Sequence, residues 1–252
     1  MQSGAALKAK LRAGTPCIGA WILTASADAV EILGFSGLDF VIIDHEHGLG
    51  SIETASNQLR ALKGSDCAGL LRVPSNDRIY IKRALDAGVG GIMVPNVGTA
   101  TEAEEAVAAC RYPPRGVRGA FGGMRAMDFG FDPAYYGRIE DELVIAAQIE
   151  SSAAIDNIAA IGAVEGIDVL FIGPRDLSAT LGKLNRFDDP SVMAEIARAE
   201  TAIKSSGRAL GSTALNGKAA KEMAGRGYRF IVAGSDAVLL GNGVRAMLAD
   251  AR

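Results

Sequence analysis

The sequence predicts a (β/α)8 barrel of the TIM type, a single domain across residues 1–252, on three observations. Eight short apolar runs recur along the chain, nearly all separated by helix-compatible segments. Most of these runs are continuously apolar rather than alternating, as parallel strands covered on both faces require. No low-complexity linker divides the chain. A doubly wound sheet competes, but it gives no reason for eight strands.

The expected strands are Cys17–Trp21, Phe40–Asp44, Ala68–Val73, Gly91–Pro95, Leu143–Glu150, Val169–Gly173, Arg208–Thr213 and Phe230–Gly234. Helices are expected near 26–35, 52–63, 77–87, 99–111, 153–162, 190–206, 217–226 and 236–249. Ser75, Ser191 and Ser235 stand where N-caps would help. Gly64, Gly88, Gly162, Gly207 and Gly227 stand where helices should end. Residues 113–140 form the one irregular insertion, expected to run under or around the barrel.

Composition excludes several classes of function. A net charge of −3 gives no electrostatic case for nucleic acid. The start, MQSGAALKAKLRAG, lacks the apolar run of a signal peptide or membrane span. Cys17, Cys67 and Cys110 have no metal-type spacing and suit reduced thiols, so a cytoplasmic protein is expected.

In a barrel the chemistry collects at the C-terminal ends of the strands. Those ends carry Asp44, Glu46 and His47 after strand two, Arg72 on strand three, and Gln148 and Glu150 on strand five. Gly173, Pro174 and Asp176 follow strand six, and Ser212 and Thr213 close strand seven. Charges placed only for solubility would not sort to one rim. Glu150 and Asp176 together can supply a hard divalent cation, although each alone could cap a helix or turn. Arg72, at the end of an apolar strand, calls for an anionic partner, either substrate or a rim acid such as Glu46. His45 and His47 are the only histidines. Strand alternation leaves open which of them faces the site, and Asp44 could orient whichever does. Trp21, Ile22, Thr213, Leu215 and residues 120–130 are the candidates for contacts with the rest of a substrate.

The motifs GAW, DHEHG, LRVP, IMVPNV, YPPRGVRG, QIES, FIGPRDLSATLG and VAGSDAVLL occur in that order between about residues 19 and 240. In that combination the chain resembles the HpcH/HpaI family of metal-dependent pyruvate aldolases. The resemblance implies cleavage of 4-hydroxy-2-oxo acids to pyruvate and an aldehyde. It also implies a homo-oligomer, a hexamer built as a trimer of dimers that exchange the eighth helix. By motif, Glu150 and Asp176 would hold the metal, with Gln148 beside them. The ion would be Mg²⁺, Mn²⁺ or Co²⁺, with Zn²⁺ also compatible. Arg72 would bind the pyruvyl group, and His47, partnered by Asp44, would be the acid–base residue. His45 would be accessory, and Asp86 would reach a site across a subunit boundary.

No lysine falls on an expected strand, which argues against a Schiff-base aldolase. Two alternatives stand beside the aldolase. One is an enzyme like phosphoenolpyruvate mutase or isocitrate lyase, using the Gly-Ser start of the last helix for phosphate. The other is a non-catalytic binding barrel.

Overall fold

The computed structural model describes residues 4–252. The strands are β1 Cys17–Ile22, β2 Phe40–Asp44, β3 Ala68–Arg72, β4 Gly91–Val94, β5 Val144–Ile149, β6 Val169–Ile172, β7 Ala209–Ala214 and β8 Phe230–Ser235. All pair in parallel with their neighbours in sequence, and β8 closes on β1, so the expected (β/α)8 barrel is formed.

Two residue parities divide the core. Phe40 and Ile42 of β2, Leu70 of β3, Val144 and Ala146 of β5, Phe171 of β6 and Phe230 and Val232 of β8 pack together inside the barrel. Ile43, Leu71, Ile92, Ile145 and Ile172, on the other parity, pack outward with the helices. Continuing the inward parity by one step reaches Trp21, Asp44, Arg72, Gln148, Gly173 and Thr213, so strand period alone aims these residues at the mouth. Phe40 stacks on Phe230 with centroids 4.0 Å apart, Phe230 meets Phe171 edge-on at 6.2 Å, and Phe171 meets Trp21 edge-on at 6.0 Å. This aromatic column fills the axis up to the rim.

The opposite end is sealed. Leu7 and Leu11 of helix Ala5–Arg12 join the interior cluster, and the buried Lys8 ammonium bonds Leu143 O at 2.6 Å and Asp168 at 3.1 Å.

Several local expectations change. Asp77 and Asp189 are the N-caps where Ser75 and Ser191 were expected, because each carboxylate accepts a backbone N–H of the first turn. Ser235 caps the last helix, Asp236–Ala251, as expected. Gly88 and Gly207 are left-handed C-caps, whereas Gly162 lies inside helix Ile158–Ala163. The helix expected at 153–162 is two, Ser152–Asp156 and Ile158–Ala163, broken at Asn157, whose side chain bonds Gly98 O at 2.7 Å. The 113–140 insertion contains the 3-10 segment Arg125–Gly130 and most of helix Tyr135–Glu142, which packs on Ala5–Arg12 at the sealed end.

The aromatic column carries a prediction. Phe40→Ala should lower unfolding free energy in urea by about 3–5 kcal/mol, because the closed interior cannot collapse onto the lost ring.

Candidate active site

The rim is organised around one guanidinium. Arg72 ends β3 directly beside Asp44 at the end of β2, and the two are register partners. Arg72 Nε and Nη2 donate to Asp44 Oδ1 and Oδ2 at 2.9 and 2.7 Å, a bidentate pair, and both side chains are almost fully buried. Arg72 Nη1 lies 2.9 Å from Glu46 Oε2 and donates to Gln148 Oε1 at 3.4 Å. The guanidinium carbon lies 4.2 Å from the centroid of the Trp21 ring, so the aromatic column ends in a cation–π contact.

Asp44 also shapes the loop that follows it. Its Oδ1 accepts the backbone N–H groups of Glu46 and His47 at 3.0 and 3.3 Å, turning the chain out of the strand. At Gly48 a Cβ would collide with the Asp44 carbonyl oxygen, so the turn requires glycine. The side-chain dyad expected between Asp44 and His47 is therefore not formed, because the two Asp44 oxygens are taken by Arg72 and by the loop backbone. The His47 imidazole, 63% exposed, has Glu46 Oε2 3.8 Å from its Nε2. The turn after Asp44 ends the alternation and so separates the two histidines: His45 points outward and is buried among the helices, and His47 is the one at the open mouth.

Glu150 follows β5 and is buried. Its Oε2 accepts Asn96 N–H at 3.0 Å and its Oε1 accepts the Gln148 amide. It does not cap the helix that follows, because Ser151 does. Asp176 lies, exposed, in the first turn of helix Pro174–Thr180. A Cβ at Gly173 would fall 2.6 Å from Glu150 Oε1, so glycine there leaves the carboxylate its space. Burial raises the Glu150 carboxyl pKa above the ordinary value, and the nearby charges of Asp176 and Glu46 push it the same way. Glu46 is also raised, first by burial, with Arg72 and His47 opposing.

Four carboxylates, Asp44, Glu46, Glu150 and Asp176, thus gather at a rim whose buried cation, Arg72, is paired with the first two. That donor set, hard oxygens with uncompensated negative charge, fits a divalent cation held by Glu150 and Asp176. Among the described residues no group of three or more His, Cys, Asp or Glu side chains forms a self-sufficient metal cage. Water and substrate oxygens would have to complete the coordination.

The remaining expected residues are dispersed as follows. Thr213 is half-buried on β7, whose neighbour Ser212 donates to Ile172 O at 2.8 Å. Pro174 opens the helix that carries Asp176. Asp86, at the far end of helix Arg78–Ala87, accepts from the buried Arg118 at 2.8 Å and stands apart from the mouth within one chain. Sequence reasoning missed Asn96, whose left-handed backbone (φ 53°) aims its N–H at Glu150. Its signal was an asparagine directly after the strand-ending Pro95. Asp236 was missed too: it accepts Leu23 N–H, Thr24 N–H and the Thr24 hydroxyl, tying the β1 loop to the last helix. The three cysteines are buried and their thiols pushed up to about 12 by burial, which leaves them unreactive.

A closed parallel barrel with its polar groups gathered at the C-terminal mouth is the architecture of an enzyme. The chain belongs to the HpcH/HpaI aldolase/citrate lyase family, whose model matches residues 17–243. It is 40% identical over 229 residues to the 5-keto-4-deoxy-D-glucarate aldolase of Klebsiella pneumoniae, covering 91% of this chain and 90% of that one. Its backbone superposes with a TM-score of 0.95 on an HpcH/HpaI aldolase/citrate lyase family protein of Burkholderia cenocepacia, 34% identical, over 98% of this chain and 99% of that one. An HpcH/HpaI aldolase of Desulfitobacterium hafniense gives a TM-score of 0.88 at 31% identity, over 96% and 95% of the two chains.

Two predictions test the charge balance. Asp44→Ala should destabilise the fold by about 3 kcal/mol in urea denaturation, the low end for an unpaired buried charge because Glu46 still faces Arg72. A carboxyl whose folded pKa is raised binds more protons folded than unfolded, so its ionisation costs stability as pH rises through the folded value. Glu150→Gln should therefore raise the melting temperature of the metal-free protein at pH 8. That gain should shrink as pH falls through the raised pKa and vanish below the ordinary value.

Proposed function

We propose that the protein is a metal-dependent aldolase that cleaves a 4-hydroxy-2-oxo acid to pyruvate and an aldehyde. The observation that carries this reading is the juxtaposition, at one mouth, of the clamped Arg72 with the cation-demanding pair Glu150 and Asp176. Arg72 binds the anionic end of the 2-oxo acid, and its fork is held in place by Asp44 and Trp21 before substrate arrives. Glu150 and Asp176 would hold a divalent cation, with Mg²⁺, Mn²⁺ and Co²⁺ the candidates and Zn²⁺ compatible. When bound, it supplies Lewis-acid stabilisation of the negative charge that grows on the 2-oxo oxygen.

Cleavage begins with loss of the C4 hydroxyl proton. His47, the exposed imidazole at the mouth, takes that proton as base. The O–H electron pair becomes the aldehyde carbonyl. The C3–C4 pair moves into a C2–C3 double bond, leaving the enolate of pyruvate, which Arg72 faces as a second positive charge. A proton delivered to C3 completes pyruvate. The described strands hold no lysine, in keeping with a route that needs no Schiff base.

The substrate we favour is 5-keto-4-deoxy-D-glucarate, on the strength of the 40%-identical relative. Numbered from its keto end, it is a 4-hydroxy-2-oxo acid, and its cleavage gives pyruvate and a carboxylated aldehyde. A phosphate-bearing substrate is disfavoured because Asp236 places a carboxylate in the first turn of the last helix, where it accepts Ala237 N–H at 2.8 Å. The last helix also presents Val238, Leu240, Val244 and Met247 to solvent, near the exposed Ile32 and Phe35 of helix Ala27–Phe35. We propose that a second copy covers this face, in a hexamer whose subunits exchange that helix.

Chelator-stripped protein should release no pyruvate from a panel of 4-hydroxy-2-oxo acids that includes 5-keto-4-deoxy-D-glucarate. Added Mg²⁺, Mn²⁺ or Co²⁺ should restore release, and Glu150→Ala should abolish it. Release at full rate without metal would reject the reading. Light scattering should report six chains, and Leu240→Asp with Met247→Asp should reduce that mass.

A further inference from the structure

His45 takes no part in the proposed chemistry, yet it is buried in the loop that carries His47. Its backbone N–H continues the ladder to Arg72 O at 3.0 Å, and its side chain leaves the strand on the helix side. There Nδ1 lies 2.9 Å from the Tyr80 hydroxyl of helix Arg78–Ala87, and the two rings meet edge-on with centroids 5.9 Å apart. On the other side the ring presses against the loop: a Cβ at Gly50 would fall 2.8 Å from His45 Nε2 and 3.2 Å from Thr54 Oγ1. The loop from 45 to 50 is therefore fixed from two directions. Asp44 holds its backbone from inside the barrel, and the His45 ring wedges it from outside. Burial lowers the imidazole pKa, and the charge of Asp44 opposes that shift.

We infer that His45, through its hydrogen bond to Tyr80, is a positioning residue for His47. The inference rests on the reading of His47 as the base. It gives the second histidine of DHEHG a role. Within its own chain the His47 side chain is exposed and makes no strong bond, so there its aim depends on its backbone. Asp44 holds that backbone directly, and Arg72 pairs with the Glu46 side chain beside it. Leu49 N–H bonds Leu23 O at 3.1 Å, and the His45–Tyr80 contact braces the loop from the helix side.

A useful contrast lies in the chemistry. Aldol cleavage needs a base placed at the C4 hydroxyl, whereas decarboxylation of oxaloacetate forms the same enolate with no hydroxyl proton to remove. A misplaced His47 should slow the first and spare the second. A merely damaged site should slow both together.

The test measures kcat and KM of the Mg²⁺-loaded enzyme for the fastest member of the 4-hydroxy-2-oxo acid panel and for oxaloacetate. The variants are His45→Leu, His45→Asn, Tyr80→Phe and His47→Ala. His45→Leu and Tyr80→Phe should lower aldol kcat about tenfold with KM nearly unchanged, and decarboxylation should stay within about twofold. The His45→Leu/Tyr80→Phe double variant should be no worse than either single one. Asn places a polar atom where Nδ1 stood, so His45→Asn should recover aldol kcat to within about threefold of the parent. Equal losses in both reactions, or no loss on breaking the contact while His47→Ala abolishes cleavage, would overturn the positioning role alone. If His47→Ala keeps full aldol kcat, or the parent cleaves no panel member, the base assignment fails and the inference falls with it.

Discussion

The bidentate pair between Asp44 and Arg72 is the contact on which the rest of the mouth depends. It joins the ends of β2 and β3 at their last register position, where a barrel would otherwise expose loose strand ends. Burying two charges is expensive unless geometry and further hydrogen bonds compensate. Here the compensation is complete on both sides. Arg72 gains Glu46, Gln148 and the Trp21 face, and Asp44 gains two backbone N–H groups of the following loop. One ion pair thereby fixes a cationic fork, an aromatic floor and the path of the chain toward His47.

The same arrangement leaves the opposite side of the mouth short of positive charge. Arg72 is paired with Asp44 and Glu46, while Glu150 and Asp176 are near enough for the charge of Asp176 to raise the Glu150 carboxyl. The Glu150 carboxyl is raised first by its burial, and the charges of Asp176 and Glu46 add to that. Site and scaffold are in tension here: a carboxylate buried by β5 and gripped by Asn96 and Gln148 is costly in an empty site and suited to a filled one.

Much of this was legible in the sequence because strand period and barrel topology act together. Once the eight apolar runs are read as parallel strands, parity alone turns Asp44, Arg72 and Gln148 inward at one end. What escaped depends on atoms distant in sequence. The caps went to Asp77 and Asp189 rather than Ser75 and Ser191 because aspartates stood at the positions where the first turns actually begin. The Asp44–His47 dyad failed because competition for Asp44 was invisible: sequence spacing shows a carboxylate near an imidazole, but not that Arg72 and two amides claim it first. Asn96 and Asp236 act through backbone amides of other loops, which carry no residue-type signal. His45 and His47 could not be told apart until the turn at Gly48 ended the alternation.

The most direct measurement of the central claim is exchange of the pyruvate methyl protons with deuterium, followed by NMR. Pyruvate alone, without any aldehyde, suffices to ask whether this mouth makes an enolate. The account predicts exchange that requires added Mg²⁺ and is lost in both Glu150→Ala and Arg72→Lys, the second because an ammonium cannot reproduce the fork. Exchange that proceeds at the parent rate without metal, or that survives both substitutions, would contradict it.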